Sequence, residues 1–499
     1  MAVILGSDRR DTYDGRHSVA IETERLSLCQ PSCQTYQRRG TVNQYDAYGA
    51  LVRATDGRGV DATGDGVATL DPTTGISYIS AYTYSTQGDQ IAVSTPPLTT
   101  TVNGTPRANT PVVTTSTYDG DGNEITSTSA NGNPTTSAYD HLGRLVQTTL
   151  PPVKLYDNTT TTPVETTGYD GDGNVVATHD ASGALTTDSY DPLGRLVAET
   201  NPVSGAQLMT YTATREAFDQ DPGGALTAYR YNAGGQVNHV SDPVSGTVDY
   251  TYNAVGAITA ITTSDGTTGA IAAVETRGYD ALNRVITDSV GRPTTSTQTT
   301  QTAYDLDGNV AGALQPHGDA VYNVYDLADQ LVGMEVDASA TRGGPGIVQT
   351  AYGYDNAGNQ VEAIDFNGRT HTATYDADNR VTQATDTDPG GSPTTTTTWA
   401  YDPDGNTVTR IMQAAGSPAH TYSATYDAGD QRVSATEDGA TTGYGFDALG
   451  NIRSQALTSG AGTGVTLTRL LDAEDRTLGI AERLSGTTAY TTTFGYTTN

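Results

Sequence analysis

Positive charge is scarce in this chain. Its 499 residues carry 26 Lys plus Arg against 57 Asp plus Glu, for a formal net charge of −31, and Lys154 is the single lysine. A surface of that sign repels phosphate, which excludes nucleic acid and anionic membranes as partners held by bulk electrostatics. Cysteine is nearly absent as well. Cys29 and Cys33 stand alone, with no Cys or His at zinc-finger spacing. One local disulfide and two free thiols both remain open, and each outranks a metal site. No run approaches the roughly 18–20 apolar residues of a spanning helix, so no membrane span is expected. Residues 2–5 are too short for the apolar part of a signal peptide, and the sequence reads as an array entered in progress. Sustained helical periodicity is missing; residues 473–484 have room for a turn or two of helix at most.

Apolar residues make up 35% and charged residues 17%, and Thr, Ser and 56 Gly fill the difference. At this length one core does not suffice, which leaves several domains or one elongated array. Tyrosine decides between them. There are 30 Tyr against 4 Phe and 1 Trp, the bias of a residue that occupies a repeated position.

The repeated phrase is Tyr-Asp, two variable residues, Gly or a polar substitute, then Arg or Asn and an aliphatic residue. Clear copies begin at Tyr118-Asp119 with Gly122, Tyr139-Asp140 with Gly143, Tyr169-Asp170 with Gly173 and Tyr190-Asp191 with Gly194. Others are Tyr304-Asp305 with Gly308, Tyr354-Asp355 with Gly358 and Tyr401-Asp402 with Gly405. Further copies start at Tyr45, Tyr231, Tyr252, Tyr279, Tyr325, Tyr375 and Tyr426; Tyr84, Phe446 and Leu471 lead weaker ones. Tyr118 to Tyr139, Tyr169 to Tyr190, Tyr231 to Tyr252, Tyr304 to Tyr325 and Tyr354 to Tyr375 are all 21 apart. Longer gaps fit a loop that tolerates insertion.

The phrase has a physical reading. Thr, Tyr and Val on either side favour a pleated surface. The Asp accepts hydrogen bonds from backbone amides of the corner, and the Gly takes positive φ without steric cost. Each phrase is therefore a β-hairpin corner with a bulge or a left-handed residue at Gly. A second corner, such as Asp180-Ala181-Ser182-Gly183 or Asn131-Gly132-Asn133, closes each unit. About sixteen units of two strands predict on the order of thirty strands. Neither face of residues 144–149 is cleanly apolar, which fits a sheet wetted on both sides. The expected fold is all-β, tandem hairpins forming a long curved or spiralling sheet. Residues 1–117 read as degenerate repeats with a Pro/Thr-rich connector at 95–117, residues 118–456 as the regular array, and residues 457–499 as fading repeats that stop within a strand.

These phrases resemble the YD-repeat, or rearrangement-hotspot (RHS) repeat, family; Tyr139 to Val146 and Tyr190 to Val197 are near-consensus. The family includes bacterial polymorphic toxins, the C component of insecticidal toxin complexes, and animal teneurins. The resemblance implies a sheet spiralling into a hollow shell, which in bacterial members encloses a C-terminal toxin, in proteins that are secreted or held at the cell surface. The self-cleaving segment rich in Asp-Pro-x-Gly-Leu is not found here, nor is a non-repeat C-terminal domain. Self-cleavage and toxicity therefore do not carry over, and the chain reads as the repeat region alone.

Chemistry-bearing patterns are few. Asp119-x-Asp121-Gly122-Asn123 and its equivalents at Asp170, Asp305 and Asp402 resemble the start of a calcium loop. The EF-hand test fails at its sixth positions, Glu124, Val175, Val310 and Thr407, and at its twelfth, Ala130, Ala181, Pro316 and Gln413. Corner chemistry is the better account. His17, His141, His179, His239, His317, His371 and His420 are scattered and read as solvated loop residues. Trp399 reads as a packed strand residue. No nucleophile elbow, zinc helix or phosphate loop is present, so no catalytic residue, metal ligand or cofactor is expected. The leading expectation is a non-enzymatic scaffold, part of a shell around a cargo or toxin domain of the same parent polypeptide or complex. The alternative is an adhesin whose rows of Tyr and Asp contact surface glycans, and a fragment of a toxin enzyme ranks last.

Overall fold

The computed structural model describes residues 9–13, 19–27, 36–56, 58, 78–102, 105–201, 205–337, 347–458, 464–471, 477–484 and 487–494. Cys29, Cys33 and His17 lie outside them. Among the described residues are 43 strands, from Arg9–Tyr13 to Thr487–Thr493, and no helix. The fold is all-β: 41 strands belong to one sheet. Thirty strands was an underestimate, because the weak copies at both ends also form strand pairs and two insertions add hairpins of their own. Where a helical turn was allowed, Thr477–Leu484 is a strand. It is laddered to Val465–Leu471 on one side and Thr487–Thr493 on the other, and two ladders override a local helical preference.

Each strand pairs antiparallel with the next, with two exceptions. Gln90–Ser94 pairs with Val113–Tyr118, skipping the hairpin Leu98–Val102/Thr105–Thr110. The expected connector at 95–117 is thus largely strand. Leu145–Thr149 pairs with Val164–Tyr169, skipping the small ribbon Val153–Lys154/Thr160–Thr161. No pairing among the described residues joins the last strand to the first, so the sheet is not closed.

The corners explain the register. At Asp140 the N–H donates to the Arg144 carbonyl at 2.9 Å, and the Gly143 N–H donates to the Asp140 carbonyl at 3.0 Å. Tyr139 stands opposite Leu145 with a bulge beside it. Gly143 has φ 75°, the left-handed value that makes such a corner cheap only for glycine or a short polar residue. The polar substitutes obey the same rule: Asn283, Asp329, Asn379 and Asp430 take φ of 62°, 57°, 62° and 59°.

The ribbon coils and meets itself. Contacts between residues 271 to 321 apart in sequence join its first winding to its second. They advance in step, from Arg58 against Ala377 to Tyr156 against Phe446. Solvent reaches 28869 Å² of surface, against about 17,500 Å² for a compact monomer of this mass. Both sheet faces are therefore wetted, and burial concentrates where the windings touch: Tyr78, Leu98, Val112 and Ala377 form the one apolar cluster of buried residues described.

Candidate functional site

The corners form an interlocked row. In the Tyr139 corner, Asp140 Oδ1 accepts the N–H of Leu142 at 2.8 Å and of Arg144 at 3.0 Å, while Arg144 Nε donates to Asp140 Oδ2 at 2.8 Å. These bonds to Arg144, backbone first, lower the Asp140 carboxyl to about 2. Asp119, Asp170 and Asp191 are lowered chiefly by the side chains of Asn123, Asn174 and Arg195. Asp305, Asp355 and Asp402 receive the same backbone donors, from Asn309, Asn359 and Asn406 at 2.8–2.9 Å. Gly122, Gly173, Gly194, Gly308, Gly358 and Gly405 all have positive φ.

Neighbouring corners are tied by two devices. The Tyr169 hydroxyl donates to the Leu145 carbonyl of the preceding unit at 2.9 Å. Tyr118, Tyr139, Tyr304, Tyr354 and Tyr401 make the equivalent bond to Gln90, Glu124, Val285, Leu331 and Val381. Tyr190 occupies the same place in its corner, half-buried. The residue after Gly then reaches forward. Where it is Arg, its guanidinium lies over the next Tyr: Arg144 over Tyr169, Arg195 over Tyr211 and Arg284 over Tyr304, each 4.4 Å from the ring centre. Such a contact contributes about 0.5–1 kcal/mol at an exposed site. Where it is Asn, its amide bonds the polar left-handed residue of the next corner, as Asn309 to Asp329 at 2.7 Å and Asn359 to Asn379 at 2.9 Å. The substitutes for Gly thus have partners one unit back, a pairing that spacing arguments had passed over.

The seam between windings is the second feature, and sequence reasoning missed it. Arg58 donates to the carbonyls of Asp376 at 2.9 Å and Ala377 at 3.2 Å and to Asn379 Oδ1 at 2.9 Å, with Tyr78 beneath it. Thr100 bridges Tyr401 in parallel. Asp404 Oδ1 accepts the Asn131 N–H at 3.0 Å, and its Oδ2 accepts the Ser129 hydroxyl at 2.9 Å. Asp402, 7% exposed, accepts the Asn131 amide. Asp427 accepts the Lys154 N–H at 3.0 Å, and Phe446 accepts the Tyr156 N–H at 2.8 Å. The Asp402-x-Asp404 pattern is here a clasp between windings. Part of the signal for it lay in the spacing: the gaps Tyr45–Tyr84, Tyr84–Tyr118 and Tyr139–Tyr169 are 39, 34 and 30 residues, and these insertions supply Arg58, Thr100, Lys154 and Tyr156, while Ser129 and Asn131 come from the 21-residue unit between Tyr118 and Tyr139.

Two open cavities accompany these features. One, about 580 Å³, lies at the seam, where Thr409, Ser423, Thr425, Ser434 and Thr436 from three adjacent strands face Asn131 and Asn133. The other, about 760 Å³, is a trough along Val324, Gly333, Ala351 and Ile364 with Phe366 at its rim. Four histidines are in strands, correcting their reading as loop residues. His239 pairs with Asp249 at 2.6 Å, His371 with Asp386 at 2.6 Å and His420 with Asp438 at 2.8 Å, and His179 bonds Thr166. Strands place them opposite one acceptor each, which a linear scan cannot see. Trp399 lies half-buried in strand Pro393–Tyr401. Among the described residues no three His, Cys, Asp or Glu side chains are grouped to hold a metal.

The family model of the RHS repeat matches residues 118–151 and 169–206, so the chain carries RHS repeats. No curated protein matches it in sequence. Its fold is that of the crystal structure of TcdB2-TccC3, at 16% identity and a TM-score of 0.60, with 94% of this chain covered and 28% of that one. TcdB2-TccC3-Cdc42 is similar at 17% identity and a TM-score of 0.61, with the same coverage. The Photorhabdus luminescens Tc holotoxin pore is similar at 16% identity and a TM-score of 0.56, covering 96% of this chain and 26% of that one. This chain therefore spans just over a quarter of the structures it resembles.

Proposed function

We propose that this chain, an RHS-repeat protein with the fold of a Tc toxin shell, is a non-enzymatic wall that encloses a cargo domain outside the cell that makes it. The observation that carries the reading is the self-contact of the ribbon: a sheet that returns onto itself after 271 to 321 residues surrounds space, where a flat sheet only divides it. The row of corners supplies mechanical continuity, and the seam holds successive windings against each other. The net charge of −31 suits a cationic cargo segment. Residues 118–456 are the regular part of that wall, and the corner residues Tyr118, Asp119 and Gly122, with their equivalents, act structurally.

A protease-protection experiment tests this. A small reporter domain fused after residue 499 is challenged with a protease alongside the free reporter. The expected outcome is a cleavage rate at least about tenfold slower for the fused domain, with protection lost when the seam is broken. Equal rates for the two would overturn enclosure while leaving the scaffold fold intact.

A further inference from the structure

The chain holds three Asn-Gly pairs, led by residues 103, 131 and 367, and the last two lie among the described residues. Asparagine is chemically labile, and glycine beside it leaves the following nitrogen unshielded for attack on the side-chain amide. Asn131 and Asn367 hold the same place in corners of one shape. Gly132 and Gly368 take φ of 86° and 76°, and each donates its N–H at 2.9 Å, to the Ser129 and Asp365 carbonyls. Both asparagines are exposed. What differs is the seam. The Asn367 N–H is held within its own corner, by Asp365 Oδ1 at 2.8 Å, and its side-chain amide has no partner among the described residues. The Asn131 N–H is held from the other winding, by Asp404 Oδ1 at 3.0 Å, and its amide donates to Asp402 Oδ2 at 3.2 Å. Two carboxylates therefore face it, and that of Asp402 belongs to a buried residue. Arg380, the guanidinium that reaches this corner, is held by Asp376 at 2.7 Å and meets Asp402 at its carbonyl.

We propose that Asn131 is a deamidation site guarded by the seam, and that its conversion releases the clasp irreversibly. The step uses water and nothing else. The Gly132 nitrogen gives its proton to solvent base and attacks Asn131 Cγ. A ring C–N bond forms, the bond from Cγ to the side-chain nitrogen breaks, and that nitrogen leaves as ammonia with a proton from solvent. Water then opens the cyclic imide at either carbonyl, which leaves aspartate or isoaspartate at residue 131. The seam opposes the first move. The side chain must swing onto its own backbone, so the bond to Asp402 is given up first, and the hold of Asp404 on the N–H resists the turn. The product cannot remake the clasp. A donor amide has become an acceptor-only carboxylate. It stands against Asp402 across the seam with no cation between them, and like charges in a partly desolvated contact repel. The isoaspartyl form also adds a backbone carbon to the corner and draws its N–H away from Asp404. The inference rests on the seam alone and holds whatever the wall encloses.

Ageing the full chain at neutral pH, with both sites followed by peptide mass spectrometry, tests this. In the intact chain Asn131 should convert more slowly than Asn367, by a factor on the order of ten for the two bonds that cross the seam. Asp404→Ala removes the clasp and spares its own corner: both carboxylate bonds of Asp404 go to the other winding, and Ala328 and Ala357 already hold the equivalent place. In that chain Asn131 should approach the Asn367 rate, with Asn367 unchanged. Release is read by hydrogen exchange at the Lys154 N–H, which donates across the seam to Asp427. The Asp140 N–H, bonded within its own corner, is the control. Asn131→Asp should lower Lys154 protection on the order of fivefold, and added salt should restore it. Asn131→Ala, which loses the donor and gains no charge, should lower it less and ignore salt; Asn367→Asp should leave it unchanged. Equal rates at the two sites in the intact chain overturn the proposal, as does an Asn131 rate that Asp404→Ala leaves unmoved. Full Lys154 protection in the Asn131→Asp chain overturns it too. Where a variant does not fold, the aged unmodified chain, separated by charge into fractions identified by mass, gives both the rates and the exchange.

Discussion

Corners of one sequence phrase live two different lives in this molecule. In the first winding they face solvent, and their variable positions carry Leu142, Leu193 and Leu282 at 65%, 72% and 74% exposure. In the second winding the corners at Tyr375 and Tyr426 press on the first, and the variable positions are Ala377, 7% exposed, and Gly429, where an added Cβ would sit 2.6 Å from Val153 Cγ1. The carboxyls diverge as well. Hydrogen bonds hold Asp119, Asp140, Asp170 and Asp191 below the ordinary range, whereas burial raises Asp378 and Asp430 at the seam. The phrase specifies the corner; the two letters it leaves free decide whether that corner can be covered.

That contrast can be broken at several points. Leu98→Ala empties the best-buried apolar side chain of the seam, at 2% exposure, and should cost about 2–5 kcal/mol in a denaturant titration. Leu145→Ala, on the open sheet at 38% exposure, should cost well under half as much. Gly429→Leu gives a docked corner the residue that free corners tolerate; overpacking against Val153 should cost about 1–3 kcal/mol, with raised proteolysis around 129–156. Leu142→Gly, the reverse exchange, should stay within about 1 kcal/mol, and an equal loss at both sites would erase the distinction. Tyr139→Phe removes the bond to the Glu124 carbonyl and should cost about 0.5–1.5 kcal/mol. Acid should separate the two regions without mutation. Because the Asp140 carboxyl is lowered to about 2 when folded, its contribution is complete above the free value near 4 and disappears as pH falls toward 2. Circular dichroism should show the ladders softening only in that window.

Much of the fold was legible because its determinants are local. Tyr139 to Val146 contains every group its corner uses: the carboxylate that caps the amides, the residue with positive φ and the aliphatic start of the next strand. The polar substitutes were recognisable as substitutes. Their partners were not, since Asn359 and Asn379 lie 20 residues apart and meet only once two strands have been laid side by side. The seam was harder still. Leu98 and Val153 sit in segments that looked like loop insertions, and nothing within either segment points to residues nearly 300 positions away.

The order of letters along this chain settled that it would be a ribbon of hairpins and where each hairpin would bend, because capping, handedness and pleating act over a few residues. Tertiary structure alone decided where the ribbon would touch itself, and so which of its many near-identical aspartates would be solvated and which confined. Coiling sums small twists over dozens of strands, and no single unit carries enough of that sum to be read from its own residues.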